Sequence, residues 1–133
     1  MLERAVYVSE AANPDVALVV LAEILATSDR NNRRDDVTGA LLISEGRFLQ
    51  VLEGARQDLD RVLGRVERDP RHRNMTILAR NSVESRMFAR WTMAAARVTP
   101  AEQPRMKAII HLSSTSPTRA AEEMLDLVTR QAA

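Results

Sequence analysis

Two apolar runs joined by a short polar turn constrain the fold of this chain more than any other feature. The runs cover residues 37–44 and 47–53, and Glu45-Gly46 lies between them. A glycine beside a polar residue in this position favours the tight turn of a β-hairpin, so the two runs are predicted to pair antiparallel. The fold is therefore expected to contain a hairpin near the middle of the chain.

Segments on both sides of this hairpin add strands and helices in a regular order. Alternating β-branched and aromatic residues predict strands, and apolar residues spaced three and four apart predict helices. The polar stretch 29–36 is expected to end the first helix, and Pro70 the second. Besides the hairpin, the predicted segments are a strand at 4–9, a helix from Pro14 to Ser28, a helix at 59–69, and strands at 75–79 and 91–98.

The order β-α-β-β-α-β-β predicts an α+β fold of the ferredoxin-like type. Its five-stranded mixed sheet would carry both helices on one face, because crossover connections are right-handed. The first and third strands are predicted to be parallel neighbours. This arrangement would place Tyr7 beside Gln50.

Two more helices are predicted in a C-terminal extension. Residues Thr99 to Glu102 match a capping box with a proline at the first helical position, and Pro117 opens the last helix. The apolar stripes of both helices are expected to cover either the free face of the sheet or a second subunit. We therefore divide the chain into residues 1–98 and a helical extension, residues 99–133. The stripe of the last helix is Ala121, Met124, Leu125 and Val128.

The composition excludes several classes of chemistry. The 133 residues include no cysteine, which excludes disulfides, thiolate metal sites, cysteine nucleophiles and cysteinyl adducts. The two histidines, His72 and His111, are too far apart in sequence to suggest a metal site. The formal net charge is +1 and no run approaches 18 apolar residues. Neither nucleic acid nor a membrane is therefore an expected partner, and a cytoplasmic location is expected.

A glutamine inside a predicted buried strand is the clearest sign of a functional site. Gln50 shares a strand face with Phe48 and Leu52, and burying its amide without hydrogen bonds would cost about 1–3 kcal/mol. A polar group is therefore expected over it. Tyr7, the only tyrosine, reads as a core residue when taken alone. Beside Gln50, however, its phenol and the rotatable amide could direct hydrogen bonds at a planar heterocycle.

Polar residues of the two predicted helices are candidates for the same site, and each has a structural alternative. Asn31 and Asn32 lie near the predicted end of the first helix, where asparagine is also a common C-cap. Arg65 flanks the apolar stripe of the second helix and could instead form an exposed ion pair with Asp69 at i+4.

A different class of protein is also compatible with part of this pattern. Arg30 beside the two asparagines would suit a small ferredoxin-like hydrolase that handles phosphate, and a ligand-binding regulatory domain is a third possibility. The chain lacks a glycine-rich phosphate loop and a credible nucleophile or acid-base pair. These absences argue against the hydrolase.

Five blocks of sequence, in order and at characteristic intervals, resemble the BLUF domain, a flavin-binding sensor of blue light. The resemblance covers residues 3 to about 97. The family's fold, a five-stranded mixed sheet with two helices that clasp the flavin, agrees with the layout predicted above. The blocks are Ala5-Val6-Tyr7-Val8-Ser9, Asn31-Asn32 with Val37-Thr38-Gly39, Phe48-Leu49-Gln50-Val51-Leu52-Glu53-Gly54, Asp69-Pro70-Arg71-His72 and Arg86-Met87-Phe88-Ala89-Arg90-Trp91-Thr92-Met93.

The resemblance implies a role for each candidate residue. Tyr7 would donate an electron and a proton to the photoexcited flavin, and Gln50 would lie between Tyr7 and the N5/O4 edge of the ring. Trp91 and Met93 match the pair on the fifth strand that responds to the state of the glutamine. The cofactor-binding positions would be Gln50 itself, Ile24 packed on the ring, Asn32 at its O4/N3 side, and Asn31, Arg65 and Asp69.

The resemblance further implies a photoreceptor and not an enzyme. The cofactor would be FAD, with FMN as the alternative, and it would be held without a covalent bond. Light would rearrange the hydrogen bonds of Gln50, and the fifth strand would pass the change to the helices after Thr99. Because no effector domain follows residue 133, the output is expected to pass through a homo-oligomer or a separate protein partner.

Overall fold

The computed structural model describes residues 1–97 and 99–132, without the side chains of Val16 and Ala17. Its elements are β1 (Leu2–Ala11), α1 (Ala17–Asp35), β2 (Thr38–Ser44), β3 (Arg47–Ala55), α2 (Arg56–Arg68), β4 (His72–Ser82), β5 (Ala94–Ala95), α3 (Gln103–Ser113) and α4 (Pro117–Ala132). None of the helices in these residues is long and apolar enough to cross a membrane.

The five strands form one mixed sheet in the order β4-β1-β3-β2-β5, which confirms the predicted α+β fold. The prediction that β1 and β3 run parallel is wrong, because the two strands pair antiparallel. Helix α1 returns the chain so that β2 runs in the same direction as β1, and the hairpin turn then reverses β3. Only the β2–β5 pair is parallel among the described pairs.

The central hairpin forms as predicted. Strands β2 and β3 pair antiparallel, with Ser44 opposite Arg47. Both turn residues have positive φ angles, 53° at Glu45 and 75° at Gly46. Such a two-residue turn matches the twist of the flanking strands and is tolerated most easily by glycine. The backbone carbonyl of Gly46 also accepts a hydrogen bond from the N–H of Ala11, at 2.7 Å, which ties the turn to the end of β1.

Helix α1 is longer than the sequence predicts. It continues through the polar stretch to Asp35 and ends before Asp36, whose φ of 55° cannot continue a right-handed helix. The helix therefore ends inside the stretch 29–36, but at its far end and not at Ser28 as predicted, and a C-cap role for either asparagine is wrong. An ion pair between Asp29 and Arg33, at i and i+4, supports the helix there.

The sheet separates two apolar cores, and each pair of helices covers one face. Helices α1 and α2 cover the face that carries Tyr7 and Phe48, with Ile24 and Leu59 among the helical contacts. Helices α3 and α4 cover the other face. Their core residues include Met106, Ile109, Ile110, Ala121, Met124, Leu127 and Val128.

The second core settles what the C-terminal helices cover. Met124 and Val128 are buried against the chain's own sheet, and Leu125 is half-buried beside them. Of the two predicted alternatives, the free sheet face is correct and the second subunit is not required. Substituting this stripe would therefore disrupt the chain's own core, so the stripe is not a suitable place to test partner binding.

Other element boundaries also differ from the sequence-based prediction. Strand β4 is longer than residues 75–79 and begins at His72. Strand β5 has two residues in place of the predicted 91–98, and Val98 itself lies outside the described residues. Helix α3 begins at Gln103, because Pro104 lacks an N–H and fits only in the first turn of a helix. No side-chain hydrogen bond caps the start of this helix.

Candidate functional site

A groove between α1 and α2 opens over β3 and collects every residue predicted to bind a cofactor. We call it the α1/α2 groove. Helix α1 places polar side chains along one wall because its apolar stripe gives way there to serine, threonine and asparagine. The lining residues are Ile24, Thr27, Ser28, Asn31, Asn32, Gln50, Val62, Arg65, Val66, Asp69, Arg71 and His72.

Tyr7 and Gln50 form a buried pair at the floor of this region. They are direct register partners on β1 and β3, and the Tyr7 hydroxyl donates a hydrogen bond to Oε1 of Gln50. Both side chains are almost fully buried. Burial, with a smaller contribution from the negative charge of Asp69, raises the pKa of Tyr7 far above that of a free phenol. Tyr7 is therefore a neutral hydrogen-bond donor at neutral pH.

The amide nitrogen of Gln50 is the unusual atom of the site. Nε2 of Gln50 is buried and has no hydrogen-bond partner among the described residues. A buried amide N–H left without an acceptor is costly, and such groups are rare in folded proteins. Because Gln50 lines the α1/α2 groove, a molecule held there could supply an acceptor for this N–H. A flat ring with a carbonyl or imine acceptor on its edge, such as a flavin, fits this requirement.

The two asparagines lie in successive positions of α1 beside the groove. Asn32 is buried, and its Nδ2 donates a hydrogen bond of 2.7 Å to the backbone carbonyl of Thr92. This amide nitrogen carries a second N–H, and the side chain also has a free oxygen to offer as an acceptor. Asn31 lines the groove and is half-buried. Both residues could therefore hydrogen-bond the polar edge of a bound ring.

Arg65 and Asp69 lie on the same groove but do not pair with each other. Arg65 forms a hydrogen-bonded ion pair with Asp35, which lowers the pKa of the Asp35 carboxyl. Asp69 binds Arg71 through the backbone N–H and the guanidinium, with a shortest N–O distance of 2.6 Å. Burial would raise the pKa of Asp69, but the bonds from Arg71 outweigh it and hold the pKa below its usual value. The i, i+4 ion pair offered as an alternative for Arg65 is therefore wrong.

A buried histidine and serine also belong to this site, and sequence reasoning gave them no role. Ser9 Oγ lies 2.9 Å from Nδ1 of His72, and both residues are buried. The His72 ring packs at a tilt against Phe48, with 5.1 Å between ring centroids. Burial lowers the pKa of His72, so the ring is neutral at neutral pH. Side chains alternate along β1, so Ser9 lies on the same face as Tyr7. This alternation is the one sequence signal that could have indicated that Ser9 belongs to the site.

Trp91 and Met93 lie outside the groove and contact different cores. Met93 packs against the apolar side chains on the α1/α2 side of the sheet. Trp91 packs against the core beneath α3 and α4, and the guanidinium of Arg90 lies 5.0 Å from the centre of its ring. The backbone carbonyl of Trp91 accepts a hydrogen bond of 3.1 Å from the N–H of Gly39 on β2. The pair thus touches both sides of the sheet at its β5 edge.

Comparison with known proteins agrees with this geometry. A family model described as BLUF, sensors of blue-light using FAD, matches residues 2–94. Photoactivated adenylate cyclase subunit beta of Euglena longa is 33% identical over 112 residues, which is 83% of this chain. The match covers only 13% of that much longer relative.

Two solved structures extend the comparison. The dark-state structure of BlrB, a BLUF protein, is 24% identical with a TM-score of 0.76, and the match covers 96% of each chain. A structure of Klebsiella pneumoniae BlrP1 with FMN and cyclic diGMP is 25% identical with a TM-score of 0.71, covering 99% of this chain and 36% of that chain. With a family match that spans most of its residues, the chain belongs to the BLUF family of flavin-dependent blue-light sensors.

Proposed function

We propose that Tyr7 and Gln50 are the photoactive pair of this sensor and that the α1/α2 groove holds the flavin ring. The observation that carries the proposal is the buried, unpartnered Nε2 of Gln50, whose Oε1 is at the same time bonded to Tyr7. The two ends of one amide thus face the phenol and the groove. When bound, flavin supplies absorption of blue light and an excited state that is a strong oxidant.

Tyr7 is suited to give up an electron and then a proton. It is neutral and buried, and its hydroxyl proton already points at Oε1 of Gln50. Transfer along this bond would move the proton to the amide oxygen, the amide would then rotate or change its tautomer, and both the electron and the proton would return to Tyr7. The exchange of donor and acceptor positions changes which atom Gln50 presents to the groove. No covalent bond to the protein is needed, and the chain has no cysteine that could form one.

The other residues predicted to bind the cofactor would hold the ring. Asn32 would bond its O4/N3 side and Ile24 would pack on its face, while Asn31, Arg65 and Asp69 would bind its polar neighbours. Arg30 is exposed and does not line the groove. It is therefore not placed to bind a phosphate there, as the alternative hydrolase function would require.

An absorption spectrum tests the photochemistry. The flavin-loaded protein should be yellow in the dark, shift its visible band slightly to the red under blue light, and recover in the dark. Tyr7→Phe and Gln50→Ala should each abolish the shift while flavin remains bound. Thr27→Ala, a change at the groove wall away from the pair, serves as the matched control and should keep the shift. A full shift in Tyr7→Phe would contradict the proposal.

We propose FAD as the cofactor, with FMN as the alternative. The family description names FAD, whereas the similar structure of BlrP1 contains FMN. Mass spectrometry of the flavin released by denaturing the protein purified from cells distinguishes the two. Refolding the protein separately with FAD and with FMN then shows whether the light response depends on the adenylate half.

We also propose that residues 1–98 are the sensor and residues 99–133 its output segment. Helices α3 and α4 pack on the sheet face opposite the groove, so they are placed to respond to a movement of β5. The partner would be a second copy of this chain or a separate downstream protein. Light scattering of the purified protein in the dark and under illumination tests the first possibility. An unchanged molar mass in both states would leave the separate protein as the route.

A further inference from the structure

Two side chains of α1 hold the same residue of the β5 edge. Asn32 Nδ2 donates to the backbone carbonyl of Thr92 at 2.7 Å, and the Thr92 hydroxyl donates to the carboxylate of Asp29. Asp29 and Asn32 are three positions apart, so they lie on one side of the helix. We call this set of contacts the Thr92 clamp. It is the place where α1 grips the segment between Phe88 and β5.

The clamp holds the residue that lies between Trp91 and Met93. The two neighbours contact opposite sides of the sheet, Trp91 against the core of α3 and α4 and Met93 against the core of α1 and α2. Fixing both the carbonyl and the hydroxyl of Thr92 therefore fixes the rotation of this segment, and with it which neighbour faces which core. Strand β5 has only two residues in its ladder, and the bond from the Gly39 N–H to the Trp91 carbonyl holds the backbone beside Thr92 but not the Thr92 side chain.

One member of the clamp also belongs to the groove. Asn32 lines the α1/α2 groove and is buried, so a change in the hydrogen bonds at the ring edge reaches Thr92 through a single side chain. Asp29 is partly exposed and does not line the groove. Its bond to Thr92 lowers the pKa of its carboxyl, so it is an ionised acceptor at neutral pH. Asp29 therefore acts on the segment without touching a ligand.

We infer that Asp29 is a positioning residue: its bond to the Thr92 hydroxyl sets the dark arrangement of Trp91 and Met93 and thereby the lifetime of the light state. The inference rests on the proposed photochemistry of Tyr7 and Gln50. Weakening the clamp leaves the groove and the photoactive pair in place but removes the restraint that returns the segment to its dark position. The light-induced shift should persist, while the response of Trp91 and the dark recovery should change.

The experiment uses the flavin-loaded full chain, in which Trp91 is the only tryptophan. Thr92→Val removes the hydroxyl and keeps the shape of the side chain, and Asp29→Ala removes the acceptor from the other side. Thr92→Ser restores a hydroxyl and should restore the wild-type behaviour. Arg33→Ala is the matched control, because Arg33 also pairs with Asp29, at 3.3 Å, but does not contact Thr92.

The expected result is a normal red shift in all variants. In Thr92→Val and Asp29→Ala, the difference in Trp91 emission between dark and light should be reduced, and the dark recovery rate should change by about 3- to 10-fold, the effect of losing one hydrogen bond. Thr92→Ser and Arg33→Ala should match the wild type. The double variant Asp29→Ala/Thr92→Val should change the rate no more than either single variant.

Two results are decisive against the inference and separate it from the proposed function. A normal red shift with unchanged Trp91 emission and recovery in both Thr92→Val and Asp29→Ala overturns the inference alone. A wild-type protein that binds flavin but shows no red shift overturns the proposed function and the inference with it. Thr92→Val and Asp29→Ala each remove one partner of the same hydrogen bond. If one variant fails to fold, the other still tests the inference.

Discussion

At the scale of single residues, the site depends on polar atoms that are buried and specifically paired. The hydroxyl of Tyr7 donates a hydrogen bond to Oε1 of Gln50, and Nε2 of the same amide has no partner among the described residues. A second buried group, the carboxylate of Glu53, lies three residues farther along β3. It accepts the backbone N–H groups of Met87 and Phe88 at 2.8 and 2.7 Å and binds Arg4.

The Tyr7–Gln50 bond predicts an unequal effect of single and double substitutions on stability. Tyr7→Phe leaves Oε1 of the buried amide without a donor and should lower the free energy of unfolding by about 1–3 kcal/mol. Adding Gln50→Leu removes the polar group left behind, so the double variant should regain most of that loss. Urea denaturation measures both. When both variants are measured without flavin, a double variant that is less stable than Tyr7→Phe would show that the amide has another partner within the chain.

Glu53 predicts a large loss of stability from one buried side chain. Glu53→Ala leaves two backbone N–H groups and the Arg4 guanidinium without their acceptor, which should cost about 3–5 kcal/mol. Lys107→Ala breaks an exposed pair with Glu45 and is the control, with an expected change within about 0.5 kcal/mol. Thermal or urea unfolding compares the two. Equal effects would mean that the segment at Phe88 does not depend on Glu53.

At the scale of elements, the close approach of β2 to β3 depends on a glycine. A Cβ atom at Gly39 would collide with the backbone carbonyl of Val51, which cannot move without shifting β3. The N–H of Gly39 also donates to the carbonyl of Trp91, so this position links the hairpin to the β5 edge. Gly64 on α2 is a contrast, because a Cβ there meets only the flexible end of Arg68, at 3.5 Å or more.

Alanine substitutions at these two glycines are predicted to change the stability of the protein in opposite directions. Gly39→Ala should destabilise the protein by about 1–3 kcal/mol through overpacking, and should also disturb the position of Trp91. Gly64→Ala should stabilise it by about 0.5–1 kcal/mol, because alanine is the better helix former. Differential unfolding experiments on the two variants check the sign. A stable Gly39→Ala protein would mean that β2 and β3 can separate at low cost.

The elements also show where sequence reasoning succeeded and where it failed. The hairpin was predictable because Glu45-Gly46 is a local signal, and the pairing of Tyr7 with Gln50 follows from strand order. The direction of β3 relative to β1 was not, because it requires following the chain through α1 and the turn. The end of α1 is misplaced by sequence reasoning because a run of polar residues along a groove has the composition of a loop.

Contacts between distant segments were hidden for a different reason. Glu53, Ser9 and Thr92 each find partners more than 30 residues away, and nothing in their local pattern names those partners. A charged residue in a buried strand was the only available hint for Glu53. For Arg65, the local pattern offered an ion pair with Asp69 as the structural alternative, whereas packing of α2 against α1 brings it to Asp35.

At the scale of the whole molecule, the buried His72 links stability to pH. Its pKa in the folded protein lies below the unfolded value of about 6.5, so the unfolded chain binds more protons as the pH falls. The free energy of unfolding should therefore be constant above about pH 7 and decrease below about pH 6.5, by at most about 1.4 kcal/mol per pH unit for this group. Asp69, whose pKa is lowered, adds a further decrease nearer pH 4.

A comparison of the two histidines checks this assignment. His72→Gln should flatten the decrease in unfolding free energy below pH 6.5, and His111→Gln, at an exposed position on α3, is the matched control. Urea titrations at several pH values give the two curves. If His72→Gln keeps the wild-type slope, another group takes up the proton on unfolding.

The hydrogen-bonded sheet lies between the α1/α2 groove and helices α3 and α4. Its three inner strands, β1, β3 and β2, are bonded on both sides, so none of them can slide without breaking two ladders. Under the proposed function, a rearrangement in the groove would therefore reach the opposite face at the edge of the sheet and not through its centre. Strand β5 at that edge has two residues, so on the same proposal a small displacement of it would carry the effect of one rotated amide to the far side of the sheet.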